Sequence, residues 1–126
     1  MLRTILLVDK DLLFSEQMRQ MFLASGFRVL CARDDEEAEE IFSAIRPDVA
    51  VMEVMLDHQD SGFILAWKLK KLYPDVPIVM VSSVTWHTDL FFSMSSPGAR
   101  DWIKAEVFLD KPIRAEELAA TVEGVL

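Results

Sequence analysis

The stretch VAVMEVML, Val49 to Leu56, is apolar nearly throughout and carries one carboxylate, Glu53, near its middle. An apolar run of this length reads as a strand buried on both faces, the pattern of a parallel sheet covered by helices on either side. A charged side chain in such a run is costly unless it meets a partner or emerges at the strand's edge. Glu53 therefore marks a place to look for chemistry.

The flanking sequence alternates between strand and helix patterns. Ile5 to Val8 is a short apolar run that ends abruptly in Asp9-Lys10-Asp11. Leu12, Leu13, Phe14, Met18, Met21 and Phe22 then recur at helical spacing until Gly26 closes the segment. Phe27 to Ala32 is the next strand, and Asp34 to Glu37 suit a helix N-terminus, where the dipole favours negative charge. Ala38, Ile41, Phe42 and Ile45 give that helix its inner face, and Arg46-Pro47 ends it. Val49 to Val54 is the third strand. A polar loop from Asp57 to Ser61 leads through Gly62 to a helix with Phe63, Trp67, Leu69 and Leu72 inward and Lys68, Lys70 and Lys71 outside. Ile78 to Val81 and Val107 to Leu109 are the fourth and fifth strands, and a last helix runs from about Arg114 to Val125. Strands alternating with helices imply right-handed crossovers and an α/β sandwich with a parallel sheet.

The bulk numbers agree with this. A chain of 126 residues is one domain, residues 1–126, and 52% hydrophobic content excludes disorder. No apolar run approaches the roughly 20 residues that span a bilayer, so no membrane association is expected. The start, MLRTILLVDK, is too short and too soon charged for a signal peptide. The single cysteine, Cys31, cannot form an internal disulfide and fits a reducing cytoplasm. The formal charge of −8 argues against nucleic acid as a partner of this domain. A first Met and a stop just after an amphipathic helix fit either a complete small protein or the N-terminal domain of a longer one.

In sheets of this kind ligands sit at the carboxyl ends of the strands, where strand order reverses. The ends supply Asp9, Lys10 and Asp11, then Glu53, Ser82 and Lys111. Carboxylates, a hydroxyl and ammonium groups thus converge from four separated segments. ILLVDKD, PDVAVMEVML, the glycine of DSGF, PIVMVSS and FLDKPI together resemble the successive motifs of response-regulator receiver domains, over essentially the whole chain. The resemblance implies a flavodoxin-like (βα)5 three-layer sandwich with a five-stranded parallel sheet in the order 2-1-3-4-5. It also implies a cytoplasmic signalling module that takes a phosphoryl group from a histidine kinase. In that family an acidic pair after strand one binds Mg²⁺, and an Asp ending strand three is phosphorylated. A Ser or Thr after strand four and a Lys before Pro bind the phosphoryl oxygens, and an aromatic on strand five reports the change. Asp9 matches the first acid, Ser82 the hydroxyl, Lys111 the lysine and Phe108 the aromatic.

Two positions depart from the family. Lys10 stands where the second acid is usual, and Glu53 where the phosphorylated Asp is usual. Mg²⁺ needs oxygen ligands in octahedral geometry. An ammonium about 4 Å from it adds several kcal/mol of repulsion at an effective dielectric near 20. Asp9 is then a weak metal ligand or none, and no tightly bound cofactor is expected, Mg²⁺ being disfavoured. Asp11 is expected to begin the next helix as a cap or first-turn acid. Glu53 carries its carboxylate one methylene further out than Asp, which spoils the positioning that in-line attack requires. It is expected instead to reach towards Lys111 or Lys10 and fix one state, independent of phosphorylation and acting by protein–protein interaction. An ordinary Mg²⁺-dependent receiver, with Lys10 swung to solvent, is the alternative.

The 28 residues between Ser82 and Lys111 are more than the family usually has there. Ser93, Ser95, Ser96, Pro97 and Gly98 oppose a continuous helix, so a long irregular loop with a short helix around Ala99 to Lys104 is expected. Trp86, Phe91, Phe92 and Trp102 are either anchors in the core or a patch for a partner or a homodimer. The expected partner surface for a sensor kinase or downstream effector is the 83–126 face. Phe108 lacks a tyrosine's hydroxyl, so any aromatic switch there acts by packing alone.

Other constellations are weaker. His58 and His87 are isolated, and Ser83, His87 and Asp89 share one short loop without a nucleophile elbow. No Gly-rich phosphate loop follows strand one. Asp9-Lys10-Asp11 also resembles the first motif of haloacid-dehalogenase-type phosphatases, with Asp9 as nucleophile and Ser82 and Lys111 as later motifs. That family needs a further acidic pair after the lysine, and here Lys111-Pro112-Ile113-Arg114 follows. The chain is therefore not expected to be an enzyme.

Overall fold

The computed structural model describes residues 2–56, 61–82 and 105–126. Among these residues there are five strands, β1 (Thr4–Val8), β2 (Arg28–Ala32), β3 (Val49–Glu53), β4 (Ile78–Ser82) and β5 (Val107–Asp110), with a described helix after each except β4. The helices are α1 (Leu12–Ala24), α2 (Asp35–Ala44), α3 (Ser61–Leu72) and α4 (Ala115–Val125). All strand pairs are parallel and the order is β2-β1-β3-β4-β5. This is the flavodoxin-like sheet that the motifs implied.

Why these residues form these elements is visible at their ends. The Asp11 carboxylate accepts the Phe14 N–H at 3.1 Å and caps α1. The Asp34 carboxylate accepts the Glu37 N–H at 2.8 Å and caps α2, whose first turn is acidic throughout. Gly26 follows α1 at φ 91°, a left-handed conformation that glycine adopts without a Cβ penalty.

The alternating residues of β1, β3 and β4 divide between two cores. Leu6, Val8, Ala50, Met52, Ile78 and Met80 pack under α2 and α3 with Phe42, Leu65 and Leu69. Ile5, Leu7, Val49, Val51, Val79 and Val81 pack under α1 and α4 with Phe22, Leu118 and Val122. Those three strands are buried along their whole length, which is why their sequences read as continuous apolar runs.

Two expectations about helix faces are corrected. Trp67 and Leu72 were expected inward, and they lie 38% and 55% exposed. The buried stripe of α3 is Gly62, Leu65, Ala66 and Leu69, at i, i+3, i+4 and i+7, and Trp67 falls on the opposite side of the helix. Leu12 and Leu13 match the helical spacing of α1 yet are exposed. Their turn lies beyond the end of β1, with no sheet beneath it.

The long segment between β4 and β5 belongs to residues 83–104. The loop and short helix expected there, with Trp86, Phe91, Phe92 and Trp102, lie outside the described residues. So do His58, Ser83, His87 and Asp89.

Candidate functional site

Parallel strands bring their carboxyl ends to one edge of the sandwich, and β1 and β3 are neighbours at its centre. Asp9 follows β1 and Glu53 ends β3, and each is only 2% exposed. Two carboxylates at this depth need compensation. It comes from Lys111, just past β5. The Lys111 Nζ lies 2.7 Å from Asp9 Oδ2 and 3.3 Å from Glu53 Oε2. The backbone N–H of Lys111 donates to the Ser82 carbonyl at 2.8 Å, which fixes where the side chain starts. Its ammonium also lies 4.1 Å from the centroid of the Phe14 ring, a cation–π contact from α1. The Lys111–Pro112 peptide is cis.

The remaining oxygens are held by backbone. Asp9 Oδ1 accepts the Asp11 N–H at 2.8 Å, and Glu53 Oε1 accepts the Met55 N–H at 3.4 Å. Burial pushes the Asp9 carboxyl above its ordinary value even though Lys111 pulls the other way, so loss of water outweighs the ion pair here. Ser82 is buried at the last position of β4, beside the register pair Glu53 and Val81.

Lys10 takes a different part. Its residue is exposed, and its Nζ donates to the Leu56 carbonyl at 3.0 Å. It tethers the turn after β1 to the turn after β3. Glu53 therefore has Lys111 as its counter-ion, the first of the two lysines considered from the sequence. Gly62 closes the same corner from α3. A Cβ there would lie 2.2 Å from the Glu53 carbonyl oxygen and 2.7 Å from that of Val54, so only glycine permits α3 to begin so close to β3.

Residues 5–123 match the family model of the response regulator receiver domain. The chain is a response regulator receiver domain. This receiver is 30% identical over 122 residues to a probable transcriptional regulator, ycf27, of Porphyridium aerugineum, covering 97% of this chain and 47% of that protein. It is 27% identical to the sensory transduction protein BceR of Halalkalibacterium halodurans, covering 100% of this chain and 50% of that one. The chain thus spans about half the length of the curated relatives it matches. Among solved structures it resembles the chemotaxis response regulator CheY4 of Vibrio cholerae, with a TM-score of 0.83, 23% identity and full coverage of both chains. A CheY-like receiver domain protein of Methanospirillum hungatei gives a TM-score of 0.83 at 23% identity, covering 98% of this chain and 93% of that one.

The fold brings Asp9, Glu53, Ser82 and Lys111 of the receiver to one edge, with Lys10 at its rim. Asp11 turns its side chain to the α1 cap instead. Phe108 is half-buried with its ring 6.2 Å from that of Phe63, packed against the α2/α3 core. Sequence reasoning missed three contributors: Phe14 beneath the ammonium, the Leu56 carbonyl and the close approach at Gly62. Phe14 matched the core periodicity of α1, and backbone acceptors leave no signal in side-chain identity. The glycine was visible only as part of a family motif.

Proposed function

We propose that this receiver signals without being phosphorylated, its site held in one state by Glu53, Asp9 and Lys111. The observation that carries the reading is the Lys111 ammonium between two buried carboxylates, at 2.7 and 3.3 Å. The lysine that would take a phosphoryl oxygen already has its anions. Glu53 supplies one of them permanently, from a side chain too long for the attack an aspartate makes.

The donor set does not suit Mg²⁺. Two carboxylates face two lysines, one of which already occupies both carboxylates, and a hard dication gains little from a site whose formal charge sums to zero. Asp11, the other nearby acid, is committed to capping α1. The same commitment weakens the phosphatase reading, which needs that carboxyl as a general acid.

Output then rests on protein–protein contact, and the face carrying β5 and α4 is the proposed docking face for a sensor kinase or downstream effector; residues 83–104, the rest of the expected 83–126 face, lie outside the described residues. The formal charge of −8 directs this domain to protein partners, away from nucleic acid. The single Cys31 suits a reducing cytoplasm. Among the described residues no helix is long and apolar enough to cross a membrane.

The test is an NMR titration with Mg²⁺ and beryllofluoride, comparing the wild type with the Lys10→Asp/Glu53→Asp double variant. Site resonances are expected to move only in the double variant. A covalent phosphoryl adduct on the wild type, made from Mg²⁺ and a small phosphodonor and seen by mass, would overturn the proposal.

A further inference from the structure

The outward face of α2 and α3 is chemically divided. Both helices return antiparallel to the strands, so they run parallel to each other with their N-termini at the site edge. The first turns of α2 carry Asp35, Glu36, Glu37, Glu39 and Glu40, of which Glu36 and Glu40 are exposed at i, i+4 spacing. On α3 the exposed stripe is Ile64 (40%), Trp67 and Lys71, at i, i+3 and i+7, with Leu72 next to it. The Lys71 ammonium lies 4.5 Å from the Trp67 ring centroid. Lys68 Nζ meets Glu39 Oε2 at 3.2 Å, which places those two residues side by side in the register of the two helices. With that register, Trp67 falls at a level between Glu36 and Lys71. The face therefore has an acidic corner, a basic corner diagonally opposite and an indole between them.

We propose that two copies of this chain meet across this face, about a two-fold axis lying in its plane near Trp67. An isologous contact requires a patch that complements itself. This one does, because such an axis exchanges the two corners. Glu36 and Glu40 of each copy then face Lys71 of the other, and the two Trp67 rings lie at the centre. Tryptophan at the centre of a contact, with charges around it, is the usual arrangement of an energetically dominant side chain. The net charge of −8 opposes association, so the dimer is a weak one, with a dissociation constant on the order of 0.1 mM. This goes beyond the proposed signalling role, since the face lies across the sheet from α4 and uses no residue of the Asp9–Glu53–Lys111 site.

Analytical ultracentrifugation of the whole chain, from about 10 μM to about 1 mM, tests it. The wild type is expected to dimerise over that range, and Trp67→Glu to remain a monomer with an unchanged circular dichroism spectrum. Lys71→Glu alone and Glu36→Lys/Glu40→Lys alone are each expected to weaken self-association at least five-fold. An equimolar mixture of those two variants is expected to dimerise again, because each chain then presents two like corners to the other's opposite ones. Wild type that stays monomeric throughout, or charge-reversed variants whose mixture associates no better than either alone, would overturn the proposal. Those results would leave the face to a different protein or to solvent.

Discussion

Lys111 faces two carboxylates that have almost no water, and the energetics of the site turn on that ratio. Replacing it by methionine keeps the unbranched chain up to the ε-carbon and removes the charged ammonium. The two acids are then buried together without a counter-ion, a loss of about 3–5 kcal/mol. Urea denaturation of Lys111→Met at pH 7 checks this, and the loss is expected to shrink at pH 4, where the Asp9 carboxyl, raised by burial, takes up its proton. Asp9 gives a second, opposite expectation. Burial raises its carboxyl pKa above 3.8, ahead of the lowering hydrogen bond from Lys111. A pKa raised by folding means that the folded chain holds this proton more tightly than the unfolded one. The group's stabilising contribution is then full below the unfolded value and is lost as pH rises through the folded value. Asp9→Asn removes that loss while leaving Glu53 to Lys111, so its stability relative to wild type is expected to climb from pH 3.8 towards neutrality. A difference that is flat with pH would refute the assignment. Much of this pairing was readable from residue types alone, since a glutamate and a lysine at strand ends call for each other. The choice of Lys111 over Lys10 was not. It depends on the Leu56 carbonyl, a backbone group that every residue type carries.

At the level of elements, α3 is the one whose placement is most constrained. Its first turn comes so close to β3 that any side chain at residue 62 meets carbonyl oxygens. Gly62→Ala is expected to cost about 1–3 kcal/mol and to shift the resonances of Glu53 and Val54 together, as the helix start moves off the strand. Thermal unfolding and an NMR comparison with wild type read both effects. The start of α1 offers a milder case, where Asp11→Ala removes one capping bond and about 1 kcal/mol. The five strands and four helices among the described residues stood out in the sequence because apolar runs, acidic first turns and Gly26 punctuate them. Trp67 and Leu72 were misplaced because size and hydrophobicity suggest a core face, whereas the smaller Gly62 and Ala66 form it with Leu65 and Leu69. Periodicity fixes the spacing of a stripe and says less about which of two stripes the sheet covers. Leu12 and Leu13 failed for another reason: a helix can keep its pattern past the point where there is a sheet to pack on.

Across the whole molecule one sheet serves two cores, and neither core can be lost alone, because β1, β3 and β4 contribute alternate residues to each. Phe22→Ala and Phe42→Ala, one on each side, are each expected to lower stability by about 3–5 kcal/mol within a single transition. Far-ultraviolet circular dichroism and tryptophan fluorescence that fail to coincide would count against this coupling. The strand order was legible through the family motifs and not through periodicity, which cannot say which strands are neighbours. That order also gives Lys111 a reach that its position in the chain does not suggest. It follows β5, the four-residue strand at the sheet's open edge, and its ammonium ends on groups that close β1 and β3 at the centre. Between them lies β4, whose last carbonyl receives the backbone N–H of the same residue. Lys111 is thus a latch on the margin of the sheet, and fraying of β5 would strip two interior anions of their cation. Slow amide exchange in Val107–Asp110, more like that of a middle strand than of a border one, is the outward sign of that latch.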